Sequence, residues 1–199
     1  MLLKISPDGM KIGLFGGSFD PVHLGHLVVA RTALEEAGLD RLYFIPAAQS
    51  PFKPGAQPAP AAERLRWLRL ALAGDTTAEL DDQEIRRGGP SYTIDTVRNY
   101  AGNHPAAELF YLIGADQTGQ LHKWREAGEL ARMVQFLVIP RPGEALAELA
   151  APFRGRVLRG IPLGVSSSEI RARLKAGLTV AHLTPPAVAE DLANKRLYL

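Results

Sequence analysis

Apolar runs of strand length alternate with helix-patterned segments along most of this 199-residue chain. That order suits a parallel sheet covered by helices on both faces. Lys11–Phe15, Arg41–Ile45, Glu108–Ile113 and Val134–Ile139 read as strands, with further ones at Leu80–Ile85 and Val157–Leu163, the last interrupted by Gly160 and Pro162. Helices are expected at Gly25–Ala37, with Leu27, Ala30 and Leu34 on one face and Gly38 as its stop, and at Ala61–Ala73, where Leu65, Leu68 and Leu72 form the stripe. Others follow at Ser91–Tyr100, Lys123–Met133 and Ser166–Ala176, and Thr184 as N-cap with Pro185 in the first turn opens a terminal helix. Pro46–Pro60, with its five prolines, is a loop. The expectation is one α/β domain over residues 1–199, built on a doubly wound parallel sheet. Residues 166–199 would form a small C-terminal helical subdomain, and residues 1–10 an extension for which Met10 is a second candidate start.

Composition excludes several classes. There is no cysteine, hence no disulfide, thiolate zinc site or cysteine nucleophile. A net charge of +2, with arginines scattered through the helices, lacks the basic block of a nucleic-acid tail, so no nucleic-acid partner is expected. The residues after Met1 lack a signal-peptide apolar core, and no run reaches transmembrane length. A cytoplasmic protein without a membrane partner is the expectation; a homo-oligomer stays open.

Chemistry concentrates in the string from Gly16 to His26, between the first strand and the first helix. Gly16 and Gly17 let backbone approach a ligand closely, and the helix N-terminus behind them offers unpaired N–H groups to an anion. His23 and His26, three positions apart, share one helical face. Alone, this is a phosphate-binding turn with two histidines nearby. It has neither the dinucleotide fingerprint spacing nor the Gly-Lys-Ser/Thr ending of a phosphate loop. A metal-binding pair is the competing reading, but His104, His122 and His182 supply no further ligand pattern, and no metal-ligating residue is assigned. A second string, Val165-Ser166-Ser167-Ser168-Glu169-Ile170-Arg171, follows the last expected strand. Ser166 and Glu169 make a capping box, and a capped helix start is also an anion site.

The first string resembles the (T/H)xGH signature of the nucleotidyltransferase superfamily, and the second resembles that superfamily's Ile-Ser-Ser-Thr/Ser-x-x-Arg/Lys. Ser91–Thr96, Tyr111–Asp116, Leu121–Trp124 and the Leu197-Tyr198 ending are similar to bacterial nicotinate mononucleotide adenylyltransferases, over about residues 11–198. Departures are Ser50-Pro51-Phe52-Lys53 where Pro-His-Lys is common, Val165 for Ile, Ser168 for Thr, and Glu190-Asp191-Leu192 for an aromatic–Ile pair. The resemblance implies a Rossmann-like fold and adenylyl transfer from ATP to nicotinate mononucleotide, with pyrophosphate released. It implies His26 and His23 as catalytic donors to phosphate, with Arg171 and Ser166 on the leaving phosphates. Gly16, Gly17, Ser18, Phe19, Gly114, Asp116, Arg141 and Ser167 would hold ATP. Tyr92, Thr93, Trp124 and Lys53 would hold the acceptor, and Mg²⁺ would arrive on ATP. Taken without the resemblance, Trp124 fits core packing as well, Lys53 an exposed loop, and Asp20 a role in loop shape. Rival acceptors are nicotinamide mononucleotide and phosphopantetheine, and a non-catalytic nucleotide-binding module is the rival from another class.

Overall fold

A computed structural model describes residues 9–52, 55, 57–140, 148–161 and 163–198. Lys53 and Arg141, assigned above to acceptor and ATP, lie outside the described residues, as does most of the N-terminal extension. The strands are β1 (Lys11–Gly17), β2 (Arg41–Pro46), β3 (Ala78–Leu80), β4 (Glu108–Gly114), β5 (Gln135–Ile139) and β6 (Gly155–Val157). They form one sheet in the order β3-β2-β1-β4-β5-β6, every pair parallel. The order reverses between β1 and β4. Ligands of doubly wound sheets bind at such a reversal, beyond the carboxyl ends of the strands.

Alternate side chains of the central strands feed two cores. Ile12 and Leu14 of β1, Tyr111 and Ile113 of β4, and Phe136 and Val138 of β5 enter one core with Ile94, Val97 and Leu130. Phe15, Phe110, Leu112 and Leu137 enter the other. This is period-2 side-chain placement in a sheet buried on both faces. Helices α1 (Leu24–Ala37) and α2 (Ala61–Ala71) cover the second core, together with α6 (Ser167–Lys175) and α7 (Pro186–Lys195). Helices α4 (Thr93–Asn103) and α5 (Ala127–Met133) cover the first, and the short α3 (Gln83–Arg87) precedes α4. Ile170, Val188 and Leu192 belong to the same buried cluster as Phe15 and Leu112, so the last two helices share the sheet's core. Among the described residues no helix is long and apolar enough to cross a membrane.

Several elements differ from the sequence expectation, and tertiary hydrogen bonds explain most of them. The strand expected at Leu80–Ile85 ends at Leu80, because the Asp81 carboxylate accepts from the Gln83 N–H at 2.9 Å and turns the chain into α3. The strand expected at Val157–Leu163 is Gly155–Val157. Beyond it, the N–H groups of Arg159 and Gly160 donate to the Glu36 carboxylate of α1 instead of a ladder. The helix expected at Lys123–Met133 begins late, as α5 at Ala127, after a 3₁₀ segment at Ala115–Lys123, an extended Trp124 and a left-handed Glu126. On α2 Leu68 of the expected stripe is fully buried and Leu72, just past the helix end, packs half-buried on the same core, but the fully buried face also includes Arg64 and Trp67. Pro185, not Thr184, occupies the cap position of α7.

Candidate active site

The residues following β1 and those opening α6 meet beyond the carboxyl end of the sheet. Gly16 and Gly17 close β1, and each is held to glycine by packing. A Cβ on Gly16 would stand 2.2 Å from the Tyr111 hydroxyl, and one on Gly17 2.9 Å from the Phe19 ring. Phe19 has a φ of 48°, in the left-handed region, while its ring is buried against Phe15, Phe44 and His26. Core packing thus holds a backbone conformation that phenylalanine disfavours.

His23 is the N-cap of α1. Its N–H donates to Nδ1 of His26 at 3.2 Å. With Nδ1 accepting, neutral His26 carries its proton on Nε2 and can donate there. The two rings stack at 3.7 Å, and a Cβ on Gly25 would meet the His23 ring at 3.0 Å. Burial pushes His23 down from 6.5 to about 4. Burial, then the charge of His23, holds His26 well below 6.5. Near pH 7 the pair is a neutral donor set.

Unfolded histidines titrate near 6.5, so acid favours the unfolded chain. The stability that the neutral pair contributes is complete above pH 6.5 and is lost as pH falls from there toward 4. At ~1.4 kcal/mol per pH unit, His23 accounts for about 2 kcal/mol between pH 6.5 and 5. Urea unfolding at about pH 7.5 and about pH 5 should show the fall, reduced in His23→Gln; equal stability at both would contradict a buried neutral pair.

Ser166 caps α6, its Oγ accepting from the Glu169 N–H at 3.1 Å, as the capping reading expected. Three contacts tie this turn to the first string. Ser167 Oγ donates to the Pro21 carbonyl at 2.9 Å, and Arg171 Nη1 donates to the Asp20 carbonyl at 2.7 Å. Across the same join, a Cβ on Gly25 would lie 3.4 Å from the Val165 carbonyl. The two signatures, about 150 residues apart, therefore form one wall. A cleft of about 1080 Å³ opens over it. Gly17, Ser18, Phe19, His23 and His26 line it together with Ser166, Ser167 and Arg171, and with Gly114 at the end of β4. Gly16 packs on Tyr111 just behind the lining, and Asp116 is exposed beyond β4.

Tyr92, Thr93 and Trp124 form a neighbouring group outside that cleft lining. Thr93 Oγ1 donates to the Tyr111 hydroxyl at 3.3 Å, and it is this hydroxyl that packs on Gly16. Trp124 stands perpendicular to Tyr111 with ring centroids 5.9 Å apart and is 9% exposed. Core packing is therefore part of its role. Its Nε1 is buried with no hydrogen-bond partner among the described residues. A guanidinium from Arg125 lies 4.6 Å over the Tyr92 ring.

Three supporting residues were given no role by the sequence. Arg64 is 2% exposed and donates to three carbonyls, those of Ala59, Ser18 and Ala47. It staples the glycine turn to both ends of the loop after β2. Tyr198 donates its hydroxyl to the Asp20 carboxylate at 2.5 Å, and the same oxygen accepts from the Ala59 N–H. Asp20 thus joins the turn, the loop and the chain end, in keeping with a loop-shaping role. Glu84 is buried under Ser91 and Thr96; burial raises its carboxyl above the usual range while the Thr96 hydroxyl donates to it at 2.6 Å. The position of Arg64, three and four residues before Trp67 and Leu68, was the available sign that it shares their buried face.

Comparison with known proteins agrees with this geometry. The cytidylyltransferase-like family profile matches residues 14–173. A protein of Opitutus terrae named "Probable nicotinate-nucleotide adenylyltransferase" is 43% identical over 191 residues, covering 95% of this chain and 98% of its own. One of the same name from Symbiobacterium thermophilum is 40% identical, covering 95% of each. The structure of Plasmodium falciparum nicotinic acid mononucleotide adenylyltransferase complexed with NaAD superposes with a TM-score of 0.79 at 17% identity, over 95% of this chain and 97% of that one, and so shares the fold. This chain belongs to the cytidylyltransferase-like family and, within it, to the nicotinate-nucleotide adenylyltransferases.

Proposed function

We propose that the protein transfers the adenylyl group of ATP to nicotinate mononucleotide in NAD biosynthesis. An oxygen of the acceptor's phosphate forms a bond to the α-phosphorus as the bond to pyrophosphate breaks, giving nicotinate adenine dinucleotide. The attacking phosphate is already ionised near neutral pH, so the protein supplies alignment and charge stabilisation rather than a nucleophile. The observation carrying this reading is the convergence of His26 and Arg171 on one cleft through direct contacts between their turns.

In this reading His26 donates Nε2–H to the α-phosphate, with His23 supporting its tautomer and facing the same cleft. Arg171 presents a planar fork to the leaving phosphates, beside Ser166, Ser167 and the N-terminus of α6. The turn Gly16–Phe19, with Gly114 and Asp116, receives the nucleotide. Tyr92, Thr93 and Trp124 receive the pyridine ring; Lys53 and Arg141 keep the assignments the resemblance implies. Mg²⁺ would arrive on the triphosphate, keeping several of its waters. Among the described residues no three His, Asp or Glu side chains are grouped as a cage, and the Asp20 carboxylate is engaged by Tyr198 and Ala59.

Incubating the protein with ATP, Mg²⁺ and either nicotinate mononucleotide, nicotinamide mononucleotide or phosphopantetheine, and measuring pyrophosphate, tests the reading. Release is expected with the nicotinate acceptor and should exceed that with the other two. Release with phosphopantetheine alone, or with none, would overturn it.

A further inference from the structure

Phe52, on the loop after β2, is 49% exposed. A single exposed phenylalanine needs no explanation by itself. This one, however, lies against Trp124, with centroids 5.6 Å apart and planes inclined by 36°. The other ring neighbours of Trp124, Tyr111 and Phe136, stand at 87° and 81° and belong to the core. Phe52 is the neighbour that approaches a stacked geometry, and it comes from the opposite side of the strand ends, on the loop after β2.

That loop is tied down just before Phe52. The Ala48 N–H donates to Ser91 Oγ at 2.9 Å, and the Ser91 N–H donates to the Gln49 carbonyl at 2.9 Å. Both bonds fall beside Tyr92 and Thr93. The loop therefore delivers the Phe52 ring to the group of residues assigned above to the acceptor.

We infer that Phe52 is a specificity-determining residue for the acceptor, forming the outer wall of an aromatic slot whose inner wall is Trp124. The inference rests on the proposed function. A flat, electron-poor ring such as a pyridine carboxylate between two aromatic faces needs about 7 Å, twice a ~3.5 Å carbon contact. The two rings now stand closer than that. Phe52 covers Trp124 in the free protein and must swing outward by roughly 1.5 Å to admit the pyridine ring. Being half in water, it moves without opening the core. The phenylalanine ring offers an apolar face with no titratable group.

The full-length protein with Phe52→Ala, Phe52→Leu and Phe52→Tyr tests this. Ala and Leu should each raise the KM for nicotinate mononucleotide about three- to tenfold, with kcat at saturating acceptor and the KM for ATP changed less than about twofold. Tyr should stay within about twofold of the wild type. Titration of nicotinate mononucleotide followed by tryptophan emission should rank the variants in the same order. An unchanged acceptor KM and Kd in Phe52→Ala overturns the inference. So does a wild-type Kd in Phe52→Leu, because any apolar cover would then suffice. Wild-type protein releasing no pyrophosphate would sink the proposed function separately, and the binding titration would still decide the role of Phe52.

Discussion

Replacing His26 with alanine is expected to lower kcat for pyrophosphate release by about 10²- to 10³-fold, the usual cost of losing one donor aimed at transition-state charge. The KM for ATP should move far less, because in the proposed complex the serines, Arg171 and the helix N-terminus would still contact the ground-state triphosphate. The structure also predicts a pH signature. Nδ1 of His26 is committed to the His23 N–H, and burial holds the ring neutral well below 6.5. The kcat of the wild type should therefore be flat between about pH 6.5 and 8.5. A cationic donor would instead lose activity as pH rises through its pKa. His26→Ala also removes the acceptor for the His23 N–H and an edge contact with Phe19, so urea unfolding must accompany the kinetics. A folded variant retaining more than a tenth of wild-type kcat would refute the catalytic assignment.

How much of this was legible in the sequence depended on the range of the interactions. The strands β1, β2, β4 and β5 were readable to within a residue or two, since each is buried on both faces and appears as a short apolar run. Gly38 was readable as the end of α1 because its left-handed φ of 62° favours glycine. What failed depended on distant partners. Whether residues 157–163 continue a strand is decided by Glu36, some 120 residues earlier. The site divides along the same line. Each signature was readable as a local string, and the Ser166 cap as a local motif. Their clasp through Arg171 and Asp20 spans 151 residues and has no local trace. Trp124 shows the limit most clearly: both the core and the ligand reading fitted its sequence, and its position against Tyr111, with Nε1 unpartnered among the described residues, is compatible with the two together.

Substitution of Arg64 by methionine should be the most destabilising single change at the site, about 4 kcal/mol by urea unfolding. Its guanidinium donates to the carbonyls of Ser18, Ala47 and Ala59 at 2.9 to 3.0 Å. Removing it leaves three acceptors on half-buried residues without their donor, each costing ~1–3 kcal/mol, although relaxation and water entry make the sum less than additive. The nearby Asp20 carboxylate also loses a cation, while its ion pair with Arg171 at 3.6 Å stays. Burial already lowers the pKa of Arg64, so the charge is retained at a desolvation cost that its partners offset. Arg64→Lys keeps a positive charge but not a planar fork, and one ammonium cannot reproduce bonds to three carbonyls on different segments. It should fall between the wild type and Arg64→Met, at about 2 kcal/mol. A loss below about 1 kcal/mol in Arg64→Met would mean that the turn and the loop hold their shapes without the staple. Because Ser18 and Ala47 line the cleft, both variants should also lose kcat/KM while still folded at low temperature. Lost activity with intact stability would place Arg64 among the ligand contacts, whereas the two falling together identifies it as the residue that shapes the cleft.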